Sequence, residues 1–200
     1  MNGSPRRPVN AANAYGEFAA DGREYVIRDP RTPRPWVNVI ANRRAGLVVS
    51  QTGSGFTWVD NSQLAVVTRW EQDLTRDASG RFLYLRDVDT GESWSLAPAP
   101  CHPAYDRFEC LHGLGYTTFR STFRAVMADW TLFADREAPA ELWRVTLRND
   151  LLSPRRLELV AFVEWNCGVT PSPRREFTKL FLECRGDAGR NAVFARSHMW

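Results

Sequence analysis

The sequence lacks any apolar stretch long enough to cross a membrane, and it lacks a secretion signal. No run approaches the roughly eighteen apolar residues that a membrane-spanning helix needs. Arg6 and Arg7 near the N-terminus are not followed by the apolar segment of a signal peptide. These absences disfavour a membrane partner and predict a cytoplasmic protein.

Lysine is nearly absent, because Lys179 is the only one and arginine carries the remaining positive charge. The formal net charge is only +3. Arginines stand beside acids along the chain, as in Arg28-Asp29 and Arg86-Asp87, so their charge is neutralised locally. A nucleic-acid surface needs clustered, unpaired basic residues, and the sequence therefore argues against a nucleic-acid partner.

Cysteine is also scarce, and the four residues show no disulfide spacing: Cys101, Cys110, Cys167 and Cys184. We expect free thiols. Cys101-His102 and Cys110-Leu111-His112 contain the ligand types of a structural zinc site. Directly adjacent ligands rarely converge on one ion, so we expect ordinary strand or loop residues here and no metal.

Helical periodicity is almost absent, and short β-branched and aromatic runs are separated by turn residues instead. Many short strands without intervening helices predict an all-β, antiparallel sandwich. We assign it to residues 15–200, after a flexible leader at residues 1–14. Strands are predicted at Glu24–Arg28, Trp36–Ile40, Leu47–Gln51, Phe56–Asp60, Phe82–Asp87 and Glu92–Ser95, with a turn at Asp89-Thr90-Gly91.

The second half of the chain continues this pattern. Apolar residues alternate from Val126 to Leu132 and from Trp143 to Leu147, which is the period of a half-buried strand. From Leu157 to Trp165 both faces are apolar, so this strand should be central and covered on both sides. Ala192–Trp200 has the pattern of a strand with no polar tail after it, and we interpret the chain as truncated.

A glycine-rich segment, Thr52-Gly53-Ser54-Gly55, joins two predicted strands. It lacks the lysine of a P-loop and precedes no helix, which disfavours nucleotide binding. Two interpretations stay open: a hairpin whose glycines adopt positive φ, or a loop whose bare backbone lets a ligand approach. The rings of Phe56, Trp58 and Trp70 favour a sugar as that ligand, since apolar sugar faces stack on flat rings.

Glu164 is a candidate acid because it follows a strongly apolar strand, where desolvation raises the pKa of a carboxyl group. Glycoside cleavage ordinarily needs two groups about the scissile bond, and Glu164 has no obvious carboxylate partner. The alternative is a structural carboxylate paired with an arginine.

A series of short motifs runs in order along the chain from about Tyr15 to Trp165. The most specific are Leu85-Arg86-Asp87-Val88-Asp89-Thr90-Gly91-Glu92 and His112-Gly113-Leu114-Gly115-Tyr116. The others are Gly16-Glu17-Phe18, Asp21–Ile27, Thr32–Asn38 and Thr52–Phe56. Together they resemble the opening domain of the cellobiose phosphorylase family, which includes cellodextrin and chitobiose phosphorylases and part of cyclic β-1,2-glucan synthase.

This resemblance implies an antiparallel super-sandwich of the galactose-mutarotase-like type, followed by a helical linker and an α/α toroidal barrel that these residues do not include. The barrel of such relatives holds a single aspartate general acid, so no catalytic residue is expected in this chain. Inorganic phosphate would be the co-substrate and nucleophile. It would cleave a β-glucoside with inversion to give α-glucose 1-phosphate, without a cofactor.

The resemblance also implies a homodimer whose sandwich loops contribute to the rim of a pocket for a β-linked oligosaccharide. Phe56 stands where many relatives have tyrosine, and Pro171–Phe177 departs from the cellobiose phosphorylase pattern, which leaves the acceptor sugar open. The candidate rim residues are Gly55, Phe56, Trp58, Asn61, Arg69, Trp70, Glu164, Trp165 and Asn166.

Two other functions stay open. A free-standing carbohydrate-binding sandwich would use Phe56, Trp58 and Trp70 as a stacking platform. A sugar mutarotase on a similar fold would use His112 or His102 as a base, with a glutamate as partner.

Overall fold

A computed structural model describes residues 12–71, 75–169, 177 and 179–199. Most of the predicted leader, most of Pro171–Phe177 and Trp200 lie outside the described residues. The first eight strands are β1 (Gly16–Phe18), β2 (Glu24–Ile27), β3 (Val37–Ala41), β4 (Ala45–Ser50), β5 (Gly55–Val59), β6 (Val66–Thr68), β7 (Arg81–Asp87) and β8 (Ser93–Ser95). The next are β9 (Arg107–Gly113), β10 (Tyr116–Phe123), β11 (Val126–Ala134), β12 (Glu141–Asn149), β13 (Leu157–Val163), β14 (Trp165–Gly168), β15 (Leu182–Asp187) and β16 (Ala192–Ser197).

These strands form an antiparallel sandwich, as the sequence pattern predicts. Sheet A has six strands in the order β1-β2-β9-β10-β11-β12. Opposite it lie sheet B, in the order β14-β6-β5-β4-β3, and sheet C, in the order β13-β7-β8. Strands β15 and β16 form a separate hairpin. A short 3-10 turn lies at Lys179–Phe181, and no helix within the described part of the chain has the length and hydropathy to span a membrane.

The strands predicted from Glu24 to Ser95 are confirmed, with ends within two residues of the prediction. Gly91 adopts a φ of 74° in the β7–β8 turn, which is the positive φ that the turn prediction requires. Alternation from Val126 to Leu132 is confirmed as well. On the inner face of β11, both Trp130 and Leu132 are 0% exposed.

The core lies between sheet A and the two sheets opposite it. One cluster of buried side chains joins Leu47 of β4, Leu85 of β7 and Trp94 of β8 to Phe119 of β10 and Trp130 of β11. The rings of Phe119 and Trp130 are 5.3 Å apart between centroids. Fully burying a large apolar side chain contributes about 1.5–3 kcal/mol, so this cluster holds the sheets face to face.

The strand predicted from Leu157 to Trp165 is not central, and that prediction is wrong. It breaks at Glu164 into β13 of sheet C and β14 of sheet B. Within the described residues β13 pairs only with β7, and Leu159 and Val160, on its two faces, are 48% and 47% exposed. Its neighbour β7 is buried more deeply, with Arg81, Leu83 and Leu85 buried on one face and Phe82 on the other. Both faces of β13 carry apolar side chains, as in a central strand, but no other described residues bury them.

The first specific motif holds the β7–β8 turn. One carboxylate oxygen of Asp87 accepts the backbone N–H groups of Asp89 and Thr90 at 2.9 and 3.0 Å. Its other oxygen accepts Nε of Arg155 at 2.9 Å. These donors, led by the Thr90 amide, lower the pKa of Asp87 to about 2. The motif therefore stabilises a turn and ties it to the segment that precedes β13.

The second specific motif forms the β9–β10 turn and joins sheet A to sheet B. The side-chain amide of Asn38 on β3 donates to the carbonyl oxygens of Gly113 and Tyr116, each at 2.9 Å. The Tyr116 hydroxyl donates to Glu24 on β2 at 2.5 Å. Both motifs that carry the family resemblance thus have structural roles.

Candidate functional site

The predicted rim residues lie on three neighbouring strands of sheet B, ordered β14-β6-β5, and at the ends of those strands. Strand β5 carries Gly55, Phe56 and Trp58, and β6 is followed directly by Arg69 and Trp70. Glu164, Trp165 and Asn166 lie at the start of β14. Asn61 lies in the β5–β6 turn, where its side-chain oxygen accepts the backbone N–H groups of Gln63 and Leu64.

Three aromatic side chains of this set pack on one another. The Phe56 and Trp70 rings are stacked with centroids 4.6 Å apart, and the Trp58 ring lies 5.3 Å from Phe56. Trp58 also covers Gly46, where a Cβ atom would come within 2.2 Å of the indole ring. Phe56 is only 6% exposed and is not available as a stacking platform, whereas Trp58 and Trp70 are half-buried and keep exposed ring surface.

The glycine-rich loop is closed to ligands, since residues 50–56 are all buried. Gly53 has a φ of 95°, and a Cβ atom there would lie 2.6 Å from Ala97. Asp77 holds the loop by accepting two loop hydroxyl groups, both at 2.5 Å. The structure supports the hairpin interpretation of these glycines. It contradicts the alternative in which a ligand approaches bare backbone, and Gly55 is an interior residue.

Glu164 is held by its neighbours on both carboxylate oxygens. One oxygen accepts Nη1 of Arg69 at 3.0 Å, and the other accepts the backbone N–H of Gly80 at 3.1 Å. Arg69 also pairs with Glu71. A carboxylate bound in this way is not placed to protonate a leaving group. Of the two interpretations drawn from the sequence, the structure supports the carboxylate paired with an arginine.

A cavity of about 200 Å³ opens between β12 and the ends of β5, β6 and β13, and Trp143 and Trp165 contribute to its walls. Its lining also includes Arg81, whose side chain is 1% exposed and donates from Nε to Glu141. The other oxygen of Glu141 accepts the Thr57 hydroxyl. Within the described residues, Nη1 of Arg81 has no hydrogen-bond partner.

Sequence reasoning missed this buried ion pair. Arg81 alternates with Leu83 and Leu85 on β7, so the period of two places its side chain on the core face. A charge on a core face needs a partner, so the alternation along β7 predicts that Arg81 forms a buried ion pair. The sequence does not identify the partner, because Glu141 lies 60 positions later and belongs to another sheet.

The side chain of Asn166 is engaged by backbone carbonyl groups at the end of β14 and by that of Val66 on β6. Its Nδ2 donates to the carbonyl oxygens of Gly168 and Val169 at 3.2 and 2.9 Å. Asn166 therefore stabilises the irregular end of the strand in this structure, and Trp165 beside it is half-buried against the cavity.

His112, a candidate base in the mutarotase interpretation, has both ring nitrogens occupied. Nε2 donates to the Trp36 carbonyl oxygen at 3.1 Å, and Nδ1 accepts the Thr117 hydroxyl at 2.9 Å. Burial lowers the pKa of His112 to about 4. His112 is therefore engaged within the fold and not placed to take up a proton from a sugar, and the other candidate, His102, is exposed just after a turn.

The cysteines and histidines near residue 110 do not converge. Cys110 is buried on β9, and burial raises the pKa of its thiol, whereas Cys101 is exposed. All four cysteines are free. Within the ranges given above, no three His, Cys, Asp or Glu side chains are grouped to hold a metal ion.

Comparison with known proteins gives a consistent result. A sequence model described as "Glycosyl hydrolase 94, supersandwich domain" matches residues 23–200. The chain is 33% identical over 154 residues to an N,N'-diacetylchitobiose phosphorylase of Vibrio furnissii, covering 76% of this chain and 19% of that protein. It is 36% identical over 165 residues to a 3-O-beta-D-glucopyranosyl-beta-D-glucuronide phosphorylase of Paenibacillus borealis, covering 82% and 20%.

A third relative, a cyclic beta-(1,2)-glucan synthase of Rhizobium meliloti, is 36% identical over 159 residues, which cover 78% of this chain and 6% of the relative. The chain thus spans about a fifth or less of the length of these relatives. Because the family match extends from before β2 to beyond β16, it includes almost the whole sandwich described above. The chain belongs to the glycosyl hydrolase 94 supersandwich domain family.

Proposed function

We propose that this chain is the non-catalytic supersandwich domain of a glycoside phosphorylase. The whole protein would cleave a β-linked glucoside with inorganic phosphate, with inversion, to give α-glucose 1-phosphate. The observation that carries this proposal is the family match over residues 23–200, together with relatives that are named as phosphorylases. We also propose a cytoplasmic homodimer that needs no cofactor beyond phosphate as co-substrate.

The geometry of the candidate site supports a non-catalytic role. Its two inner carboxylates, Glu164 and Glu141, are each paired with an arginine. Glycoside cleavage by a pair of carboxyl groups requires both to face the substrate, and these two are occupied by protein donors. In this proposal the reaction centre is supplied by another domain of the same polypeptide.

The proposed contribution of this domain to substrate binding is a pair of half-exposed tryptophans at the pocket rim. The rings of Trp58 and Trp70 both pack against the buried ring of Phe56, which supports their positions. Large aromatic rings combine apolar faces with an N–H donor, a combination that suits the mixed apolar and hydroxylated surface of a sugar.

The test of catalysis compares residues 1–200 with the longer native protein. We expect the longer protein to form α-glucose 1-phosphate from a β-linked disaccharide only when phosphate is present. Residues 1–200 alone should show no turnover. Turnover by residues 1–200 alone, or cleavage by the longer protein without phosphate, would overturn the proposal.

The rim is tested by Trp58→Ala and Trp70→Ala in the longer protein. Loss of one aromatic contact of about 0.5–1.5 kcal/mol should raise KM roughly 2- to 12-fold. Phe18→Ala is the matched control, because Phe18 is an exposed aromatic residue of sheet A, and its removal should leave KM unchanged. Unchanged KM in both tryptophan variants would exclude them from the rim.

A free-standing carbohydrate-binding module is the second candidate, because Trp58 and Trp70 keep exposed ring surface without any other domain. Titration calorimetry of residues 1–200 with β-glucan oligomers separates the two. Saturable binding that Trp58→Ala abolishes would favour the module. Absence of binding is what we expect of a rim that another domain must complete.

A further inference from the structure

Sheets A and C both end in strands that face an opening of the sandwich. Strand β12 is the last strand of sheet A and β13 is the last strand of sheet C. Trp143 of β12 and Val163 of β13 line the same 200 Å³ cavity, so the two strands meet across it. The space between them forms a cleft, called here the β12–β13 cleft.

Burial falls sharply at these two strands. On the inner face of sheet A, Ala128 of β11 is 2% exposed, but its partner Leu147 on β12 is 39% exposed. In sheet C, Leu85 of β7 is 0% exposed, but its partner Leu159 on β13 is 48% exposed. Water therefore reaches apolar side chains that point toward the core, one strand beyond fully buried positions. The core is open on this side.

The opposite face of β13 is exposed too, since Val160 and Phe162 are 47% and 46% exposed. A domain that docked on this outer face would cover these two side chains. It would leave Leu159 and the backbone edge of the strand in water. A segment that buries β13 completely must therefore contact its outer face, its inner face and its backbone edge.

The backbone edge of β13 can be read from the flanking hydrogen bonds. The N–H of Glu164 donates to the Gly80 carbonyl, and the N–H of Val88 donates to the Arg156 carbonyl. In an antiparallel ladder this alternation makes the even-numbered residues bond to β7. The amides of residues 157, 159, 161 and 163 therefore point away from β7. The same reasoning from the bond between Asp150 and Ala125 directs the odd-numbered amides of β12 away from β11.

We propose that β-strands from outside residues 1–200 add to the edges of β12 and β13 that no described strand pairs with, extend sheets A and C, and close the β12–β13 cleft. An added strand satisfies the edge amides and covers both faces of its neighbour, which a helix packed on one face does not. Inward side chains of the added strands fill the cavity, and an acceptor among them meets the unpartnered Nη1 of Arg81.

This inference rests on the proposed function in one respect, because it places the chain within a longer polypeptide. Two of the relatives named above are about five times as long as the segment that matches this chain. Strand addition is tested by amide hydrogen exchange, measured on residues 1–200 and on the longer protein. Amides of Leu159 and Ala161 should exchange at least about tenfold more slowly in the longer protein.

Two internal controls accompany this measurement. Amides of β11, which is paired on both edges, should be protected in both proteins. The amide of Leu114, 95% exposed at the tip of the β9–β10 turn, should exchange fast in both. Equal, fast exchange of the β13 edge amides in the two proteins would overturn the inference.

Proline substitution separates an added strand from a domain that only shields β13. Ala161→Pro removes an edge amide, so residues 1–200 should keep their unfolding midpoint, whereas the longer protein should lose about 2–4 °C. Val160→Pro removes an amide that bonds to β7 and should destabilise both proteins. If Ala161→Pro leaves the longer protein unchanged, no strand pairs at this edge.

The outcomes for the two proposals are distinguishable. An active, phosphate-dependent enzyme with unprotected β13 edge amides would overturn the strand addition and leave the proposed function intact. Protected edge amides in a longer protein that forms no sugar phosphate would overturn the proposed function and support the strand addition.

Discussion

At the scale of single residues, the buried ion pair of Arg81 and Glu141 should have a large effect on the free energy of unfolding. Their side chains are 1% and 9% exposed. Removing one partner of a buried pair leaves an uncompensated charge, which costs about 3–5 kcal/mol. An exposed pair such as Arg86 and Glu158, both 53% exposed, contributes at most about 1 kcal/mol.

Glu141→Gln should therefore lower the free energy of unfolding by about 3–5 kcal/mol, measured by urea denaturation of residues 1–200. Glu158→Gln is the matched control, with an expected change below about 1 kcal/mol. Similar, small effects of the two substitutions would show that Arg81 does not depend on Glu141.

The second residue-scale prediction concerns pH and His112. Its folded-state pKa of about 4 lies below the unfolded value of about 6.5, because burial disfavours the charged ring. Both states are neutral above pH 6.5, and only the unfolded state binds the proton between pH 6.5 and 4. Stability should therefore decrease by about 3 kcal/mol as pH falls through that window.

Denaturant titrations at several pH values check this prediction. His112→Gln should remove most of the dependence between pH 6.5 and 4, whereas His102→Gln should keep it, since His102 is exposed. A wild-type stability that stays constant through this window would contradict a neutral folded state of the partly buried His112.

Residue-scale prediction from the sequence succeeded where local pattern was sufficient. The paired state of Glu164 was one of two interpretations, and the ring cluster around Phe56 lies where three candidate aromatics were named. Exposure was harder to predict, because Phe56 and Trp58 are two positions apart on the same face of β5 and yet differ in burial. Trp70, which follows β6, stacks on Phe56 and helps to bury it.

At the scale of elements, the loop between β4 and β5 shows why glycine is required at a particular position. Gly53 has a positive φ, and its Cα approaches Ala97 so closely that a side chain would collide. Gly22 also has a positive φ, of 70°, but nothing lies within 4 Å of its missing Cβ. Comparing Gly22 with Gly53 therefore separates the effect of backbone strain from that of steric collision.

Gly22→Ala should destabilise the domain by about 1–2 kcal/mol through the left-handed backbone alone. Gly53→Ala should cost more, because overpacking adds about 1–3 kcal/mol. Thermal and urea unfolding of the two variants measure the difference. Equal destabilisation would mean that Ala97 and its neighbours move aside without penalty.

Elements were largely predictable in kind but not in their position within a sheet. Strand periodicity located β2 to β5, β7 and β8 within two residues. The same reasoning placed β13 at the centre of a sheet, although it lies at an edge. Apolar residues on both faces predict that a strand is buried. They do not predict which strands bury it, because those pairings involve residues far apart in the sequence.

At the scale of the whole molecule, residues 1–200 expose an apolar surface at β13. The exposure of both faces of β13 favours added strands over a helical barrel docked on one face. Residues 1–200 alone should therefore bind a dye that is fluorescent on apolar surfaces.

The double substitution Leu159→Thr and Val160→Thr should reduce this dye fluorescence substantially, because it removes apolar surface from both faces and places β-branched threonine, which suits a strand, at both positions. Leu114→Thr, at an isolated and exposed turn position, should reduce it little. A monodisperse monomer of residues 1–200 that binds no dye would contradict the exposed surface.

The pairing of β2 with β9 has a consequence for synthesis on the ribosome. Glu24 lies opposite Gly113, so β2 has no neighbour on that side until β9 has left the exit tunnel. Strands β3 to β8 emerge in between, and their hairpins can form first from local pairings. Contacts between distant segments form slowly, so the β1–β2 hairpin remains unpaired on one side until β9 is available. The time needed to translate residues 28–113 therefore sets how long this strand edge is exposed to chaperones.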